Sequence, residues 1–548
     1  MTGVNKLLCD FLCIFCAFIS GKSLCVYLLY MAVVMSKYRR LFGVLNGTRL
    51  LHCEEDKHIP LGLRDPNLPS FKFSEISSHK TRESVWMTYK EGVYDVTNFV
   101  SKHPGGVDKI MLGAGGAADP FWRLYGQHLH MPHVGRMLES MRIGNVDESD
   151  WQNAQTSSPT NIDDPYFVDK SIERHPALAW VSREPANAET PISLIADSFL
   201  TPNDLFFVRH HFPVPVLLDD GIEFDNGQDG HAPLRVDDLR KKFQQHSVVA
   251  TIQCTGNRRT GFHSVKGAPG EVKGLTWGVG AISNARWTGP RLRDVLLHVY
   301  GDDIFRKNNA HVHFEGRDTD GSGQFYGVSI LLERAMDINS DVILALEMNG
   351  EDLPLDHGAP VRVIVPGAAG CRSVKWLKRI SLSPNESDAF WQKQDYKSFS
   401  PSQGWSGLDF DSAPAVMSTP VQSAITSVSI SDDKTYAIVD GYAFSGGGNR
   451  IIRVDVSSNG GESWTVADLQ SDDEMAAYRQ TYSWVLWRAV VENLPPSSTH
   501  EFIVKAIDES YNSQPEDPKY IWNVRGILNN SWHRVTHTSD THTSEASV

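Results

Sequence analysis

The chain reads as a multidomain α+β protein: a small α+β domain, a larger mixed α+β domain, then a C-terminal β-sandwich. Three observations predict this. Its 548 residues are enough for several hydrophobic cores. The apolar pattern changes from mixed helical and strand-like runs to strict alternation in the last third. A polar stretch with Ser157-Ser158-Pro159-Thr160 interrupts the pattern after the first quarter.

Residues 1–70 read as a targeting or anchor segment. Leu7 to Met35 is apolar, broken by Asp10 and Lys22, and suits a signal, an anchor or a membrane span. From Met35 to Arg49 the chain is basic and acid-free, the composition of a transit peptide, with Met31 or Met35 as alternative starts. Residues 71–148 form the first domain: a helix start at Phe73-Ser74-Glu75-Ile76, then a hairpin, Val85–Tyr89 and Val93–Val96, around Lys90-Glu91-Gly92. Residues 149–164 read as a flexible linker. Residues 165–384 mix short strands such as Val361–Val365 with helical runs such as Leu292–Val299. In residues 385–530, the segments Tyr436–Phe444, Arg450–Val456, Ser463–Ala467 and Glu501–Ala506 alternate apolar and polar residues, as in an immunoglobulin-like sandwich. Residues 531–548 read as a tail, Ser/Thr/His-rich after Val535.

The formal charge of -14 argues against a nucleic-acid surface and suits a basic protein partner. Of seven cysteines, five (Cys9, Cys13, Cys16, Cys25, Cys53) precede the first domain, so neither a disulfide framework nor a paired CxxC zinc site is present.

Two motifs carry chemistry. In His103-Pro104-Gly105-Gly106 proline fixes a turn and the glycines let backbone approach a flat macrocycle, so the imidazole can face iron. His128, His130 and His133 are candidates for a second axial ligand. The second motif is Gln253-Cys254-Thr255-Gly256-Asn257-Arg258-Arg259, at the end of a buried strand-like run, Val248–Ile252. A cysteine beside a turn and two arginines favours the thiolate, a nucleophile and a soft metal ligand. One haem candidate and one soft-metal candidate in a single chain point to electron transfer between two centres.

The first domain resembles cytochrome b5 along nearly its whole length. The resemblance implies haem b with His103 and His128 as iron ligands, a bis-His centre that passes electrons without binding oxygen. From Phe71 to Arg534 the chain resembles animal sulfite oxidase. The matching stretches include Phe207-Val208-Arg209-His210-His211, the Cys254 motif, Lys273-Gly274-Leu275-Thr276-Trp277, Phe314-Glu315-Gly316-Arg317-Asp318, Tyr326-Gly327, Asp356 to Arg362, and Val374-Lys375-Trp376-Leu377. The resemblance implies a molybdopterin domain with the sulfite oxidase fold. It implies a molybdenum–molybdopterin cofactor with Cys254 as the protein sulfur ligand. Phe207, Val208, Arg209, His210, His211, Asp318, His357, Arg362, Ser373, Val374 and Lys375 would bind the pterin. Arg209, Arg259, Lys273, Trp277, Tyr326 and Arg450 would surround the reacting anion with Cys254.

Three departures stand out. His210 occupies a position where the family commonly has Asn. Asn449 and then Arg450 follow Gly446-Gly447-Gly448, where the family places Arg directly. Cys371 stands where a small residue is usual, and is read as structural. The resemblance further implies oxidation of sulfite to sulfate, a cytochrome c as electron acceptor, a homodimer formed through the sandwich, and the mitochondrial intermembrane space. A nitrate reductase-like molybdoenzyme fits less well, because its b5 module follows the molybdenum domains and precedes a flavin domain. A b5-type carrier with a non-catalytic scaffold is the other alternative; it would hold iron without molybdenum.

Overall fold

The computed structural model describes residues 61–103, 107–124, 132–156, 165–225, 232–301, 303–306, 308–320, 323–470, 481–495 and 497–538. The apolar run Leu7–Met35 and the haem-ligand candidate His128 lie outside the described residues. Residues 61–548 form one compact unit.

The first domain is built on a five-stranded sheet in the order Ser70–Phe71, Arg142–Val146, Gly92–Asp95, Ser84–Tyr89, Lys80–Thr81. The expected hairpin pairs antiparallel, with Tyr89 opposite Gly92. Val85, Met87, Tyr94, Val96 and Trp122 make the core under short helices. Residues before 71 also pack on this domain. Leu61 packs on this core, Gly62 N donates to Glu139 Oε1 (2.9 Å), and Arg64 Nη2 donates to Val146 O (2.7 Å).

The expected linker is helical over its first half, Glu148–Thr156. Asp147 Oδ1 accepts from Ser149 N (3.0 Å), capping the helix, Asp150 Oδ2 accepts from Phe73 N (2.8 Å), and Trp151 packs beside Phe71 and Trp86. Composition reads this stretch as polar chain; one cap and one aromatic anchor fold it onto the first domain. Leu112 and Phe121 of that domain then pack against Ala177, Leu194 and Leu205 of the second.

The second domain carries two four-stranded sheets. One runs Gln245–Gln253, Ile282–Pro290, Glu347–Met348, Glu351–Asp352; the other runs Phe325–Leu331, His311–Thr319, Leu377–Ser383, Glu223–Asp225. The helix Leu292–Tyr300 buries Leu292, Val295, Leu296 and Tyr300, the spacing of one helical face.

The third domain is a sandwich of two antiparallel four-stranded sheets. Val439, Trp487 and Ala489 from one sheet meet Val454, Phe502 and Val504 from the other. The expected tail is partly a strand: His533–Thr538 pairs with Thr499–Asp508 because His533 and Val535 alternate inward. This domain grips the Cys254 turn from behind. Arg258 Nη1 donates to Ser531 O (2.7 Å), and Asn529 Nδ2 donates to Arg258 O (2.8 Å).

Candidate active site

Cys254 follows the strand Gln245–Gln253, whose last residue faces Ile282 across an antiparallel ladder. The chain then turns tightly. Cys254 N donates to Ala281 O (3.0 Å), Asn257 N to Cys254 O (3.0 Å), and Gly256 N approaches Cys254 Sγ (3.4 Å). Arg258 adopts a left-handed conformation (φ 63°) and donates its N–H to Gly278 O (2.6 Å). The thiol thus sits on a turn clasped by the segment Trp277–Ala281.

Beside it opens a cavity. Cys254, Phe207, Arg209, His211, Asp318, Tyr326, His357, Arg362, Ser373, Val374 and Lys375 all line it. Strand geometry sorts the run 207–211. Phe207, Arg209 and His211 face the cavity, while Val208 and His210 point away, because successive side chains alternate. Val208 packs instead with Leu178, Ala186 and Ala188. His210 is fully buried behind the wall, its ring 3.4 Å from Asp169 Oδ1 and 3.6 Å from Asp356 Oδ1.

Four other expected residues are not cavity-lining. The Arg259 guanidinium lies behind the Cys254 turn, donating to Gly526 O and Leu275 O (2.8 Å each). Trp277 is wholly buried in the core cluster that also holds Cys254. Lys273 is exposed, with Nζ 5.1 Å from the Trp405 ring. Arg450 is exposed, held through its backbone by Glu509 Oε1 (3.2 Å). Conversely, Phe206, Ile252, Thr255, Cys371, Trp376 and Tyr396 line the cavity and were not expected there. Strand alternation carried a signal for Ile252, two residues before Cys254, but not for Phe206, which lines the cavity beside Phe207; no local pattern marks Tyr396, which arrives from a distant segment.

The lining is strongly cationic. Arg209, Arg362 and Lys375 face Asp318, the one carboxylate among the described lining residues. Burial pushes Arg362 down to about 9, and burial with Arg362 nearby holds Lys375 well below the usual ammonium range. Burial pushes Asp318 up to about 7 against the pull of Lys375. His357 falls to about 4 through burial, and burial with Arg209 keeps His211 neutral. Buried cations in excess are costly unless an anion joins them. Thr255 Oγ1, on the same lining, is buried without a hydrogen-bond partner among the described residues. A thiol, three cations, one carboxylate and an orphaned hydroxyl therefore fit an anionic, hydrogen-bonding cofactor that carries a soft metal.

Polar contacts fix the lining in place. Asn187 Oδ1 accepts from Arg209 Nη1 (3.2 Å). Arg362 donates to His357 O (3.1 Å) and Ser373 O (3.2 Å), and Lys375 Nζ donates to Asp356 O (2.9 Å). Tyr326 OH donates to Cys371 O (2.9 Å), and His211 Nε2 meets Tyr396 OH at 2.6 Å.

In the first domain, His103 follows the tight helical turn Thr97–Lys102 and is half-buried, its ring 5.9 Å edge-on from Phe99.

The Cytochrome b5-like Heme/Steroid binding domain matches residues 72–147. The Oxidoreductase molybdopterin binding domain matches residues 211–391, and the Mo-co oxidoreductase dimerisation domain matches residues 413–539. The chain is 44% identical to the mitochondrial sulfite oxidase of Rattus norvegicus over 504 residues, covering 90% of this chain and 89% of that one. It is 44% identical to the sulfite oxidase of Gallus gallus, covering 86% of this chain and 100% of that one. The sulfane dehydrogenase SoxCD of Paracoccus pantotrophus shares the fold over 73% of this chain and 98% of its own, with TM-score 0.54 at 23% identity. With three domains matched in order and identity sustained from the haem domain through the sandwich, the chain belongs to the sulfite oxidase family, enzymes with a haem domain and a molybdopterin domain.

Proposed function

We propose that this chain oxidises sulfite to sulfate at a molybdenum cofactor held by Cys254. Electrons then leave singly through the b5-type haem to a cytochrome c. The observation that carries the reading is one cavity in which the Cys254 thiol meets the cations Arg209, Arg362 and Lys375. Sulfite plus water gives sulfate, two protons and two electrons. The molybdenum cofactor, when bound, supplies the two-electron acceptor and an oxygen drawn from water.

The protein's part is binding, orientation and charge. Arg362 and Lys375, with the carboxyl of Asp318 between them, suit a phosphate and ring nitrogens. Arg209, braced by Asn187, offers forked donors to an oxyanion. His211, kept neutral, hydrogen-bonds Tyr396 without adding charge beside the substrate. Arg259 lies behind the Cys254 turn, held by Gly526 O and Leu275 O. His103 and His128 hold the haem iron. A homodimer through the sandwich and a mitochondrial location, narrowed to the intermembrane space, fit the family and the basic run after Met35.

The test is an anaerobic optical titration of the purified oxidised protein with sulfite, alongside metal analysis. Haem bands shifting to the reduced form in wild type, but not in Cys254→Ser with unchanged haem, support the reading. Haem that stays oxidised in protein holding a full complement of molybdenum would sink it.

A further inference from the structure

The third domain holds the turn after Cys254 through the segment 526–532. Gly526 O accepts from Arg259 Nε (2.8 Å), Leu528 N donates to Thr255 O (2.7 Å), and Asn529 Nδ2 donates to Arg258 O (2.8 Å). Of these three, only the last is made by a side chain of the segment. A substitution at Asn529 therefore removes it and leaves the two backbone contacts in place.

Arg258 is the residue of the turn that most needs a clamp. Its φ of 63° lies in the left-handed region, which a Cβ makes unfavourable. A non-glycine residue stays there only when its surroundings over-determine it. Its N–H donates to Gly278 O (2.6 Å), and its guanidinium donates to Ser531 O (2.7 Å) and Trp532 O (3.2 Å). Its carbonyl accepts from Asn529 and, at 3.2 Å, from Gly261 N. Asn529 is 2% exposed, so water does not compete for this bond. Ser531 sets the orientation of the amide: its N (3.2 Å) and Oγ (2.9 Å) both donate to Asn529 Oδ1, which leaves Nδ2 for Arg258. Gly261 leaves room for the approach, since a Cβ there would lie 2.6 Å from Asn529 Nδ2.

The conformation of Arg258 matters at the sulfur because only three residues separate it from Cys254. Within them, Asn257 N donates to Cys254 O (3.0 Å), Gly256 N approaches Cys254 Sγ (3.4 Å), and Asn257 Oδ1 accepts from Ala281 N (3.1 Å). Relaxing Arg258 to the right-handed region redirects the chain beyond Asn257 and pulls on each of these contacts.

We propose that Asn529 is a positioning residue for the molybdenum site: its amide holds Arg258 in the left-handed conformation and so fixes the turn that presents Cys254. The inference rests on the reading of Cys254 as the metal ligand given above. By this route the third domain acts on the cavity through Arg258, without a side chain of its own in the lining.

The experiment follows alkylation of Cys254 by iodoacetamide in the cofactor-free protein, resolved from the other cysteines by peptide mass. Asn529→Ala should raise the rate about fivefold, the equivalent of one lost hydrogen bond. Glycine adopts positive φ freely, so in an Arg258→Gly background the clamp has nothing to hold and Asn529→Ala should change the rate little. If Arg258→Gly shows no cooperative urea transition, Arg258→Asn takes its place, because Asn also visits the left-handed region. An unchanged rate in Asn529→Ala overturns the proposal. So does an equal rise in both backgrounds, which marks a general loosening of the domain contact. In the holoenzyme, Asn529→Ala should lose molybdenum on dialysis faster than wild type while keeping its haem; molybdenum retained as in wild type also overturns the proposal. If wild-type haem is not reduced by sulfite while the alkylation pattern holds, the reading of the reaction has failed and the placement of Asn529 has not.

Discussion

Arg174 grips Asp356 with a bidentate fork: Nε to Oδ2 and Nη2 to Oδ1, each 2.7 Å. Both side chains are largely buried, and Asp169 Oδ1 joins the same guanidinium at 3.2 Å. The pair ties the start of the second domain to the cavity wall, since Asp356 precedes His357 and its carbonyl accepts from Lys375 Nζ. Burial raises the Asp356 carboxyl, but the hydrogen bonds from Arg174 outweigh it and hold the group ionised.

Arg174→Met should therefore leave Asp356 charged and unpaired. The cost of breaking such a pair from one side is about 3–5 kcal/mol. The check is urea denaturation with molybdenum content measured in parallel; both should fall. Arg174→Lys should recover only part of the loss, because an ammonium cannot supply the fork. Unchanged stability in Arg174→Met would remove this pair from any account of the wall.

The pH dependence of the cofactor-free protein should carry a mark from His357. Burial lowers its pKa to about 4, and its Nε2 donates to Asn203 O (3.0 Å), so the folded state holds it neutral. The unfolded imidazole binds a proton near pH 6.5. Between these values the unfolded state binds more protons, so this group's contribution to stability falls as pH falls. Asp318 and Glu189, both raised to about 7, act in the opposite sense, binding protons in the folded state. A variant is needed to separate them. The stability advantage of wild type over His357→Asn should shrink by roughly 2 kcal/mol between about pH 7 and pH 5. Parallel curves would mean that His357 takes up its proton equally in the folded and unfolded protein.

Much of this site was legible in the sequence because it is carried by short contiguous runs. Cys254 ends a strand whose apolar residues mark it as buried, and the turn beyond it is written in Gly256 and the two arginines. Identity of a matched residue does not report which way it faces. Val208 and His210 sit inside a matching run and point away from the cavity, whereas Cys371 and Tyr396 line it without any local mark. Those two are brought in by the packing of segments more than a hundred residues beyond Cys254, and pairing at that range has no local signature. The helix Glu148–Thr156 escaped for a related reason: one tryptophan against a neighbouring sheet decides it, not composition.

The segment between the haem and molybdopterin domains gives a kinetic prediction. With Glu148–Thr156 helical and Trp151 packed on the haem domain, what remains of the expected linker is the sequence 157–164, which holds Ser, Thr and Asp. Deleting four of these residues should slow haem reduction after flash or stopped-flow delivery of electrons, with sulfite binding unchanged. The reason is the steep loss of effective concentration when a tether cannot span two sites. Equal rates in the shortened protein would mean that the haem domain need not travel.

The last prediction concerns the space around Arg259. Three glycines enclose its guanidinium: a Cβ would lie 2.7 Å from Nη2 at Gly256, 2.9 Å from Nη1 at Gly274 and 2.9 Å from Nε at Gly526. The side chain cannot swing aside, because Gly526 O and Leu275 O hold it from two directions at 2.8 Å. In Gly256→Ala the new methyl group must therefore push either the guanidinium or the Cys254 turn. Crowding of this kind costs about 1–3 kcal/mol. The turn that would be pushed carries Cys254 at its start. Gly256→Ala should keep its haem and lose molybdenum on dialysis faster than wild type. Molybdenum retained as in wild type would mean that the turn absorbs the methyl group without moving the sulfur.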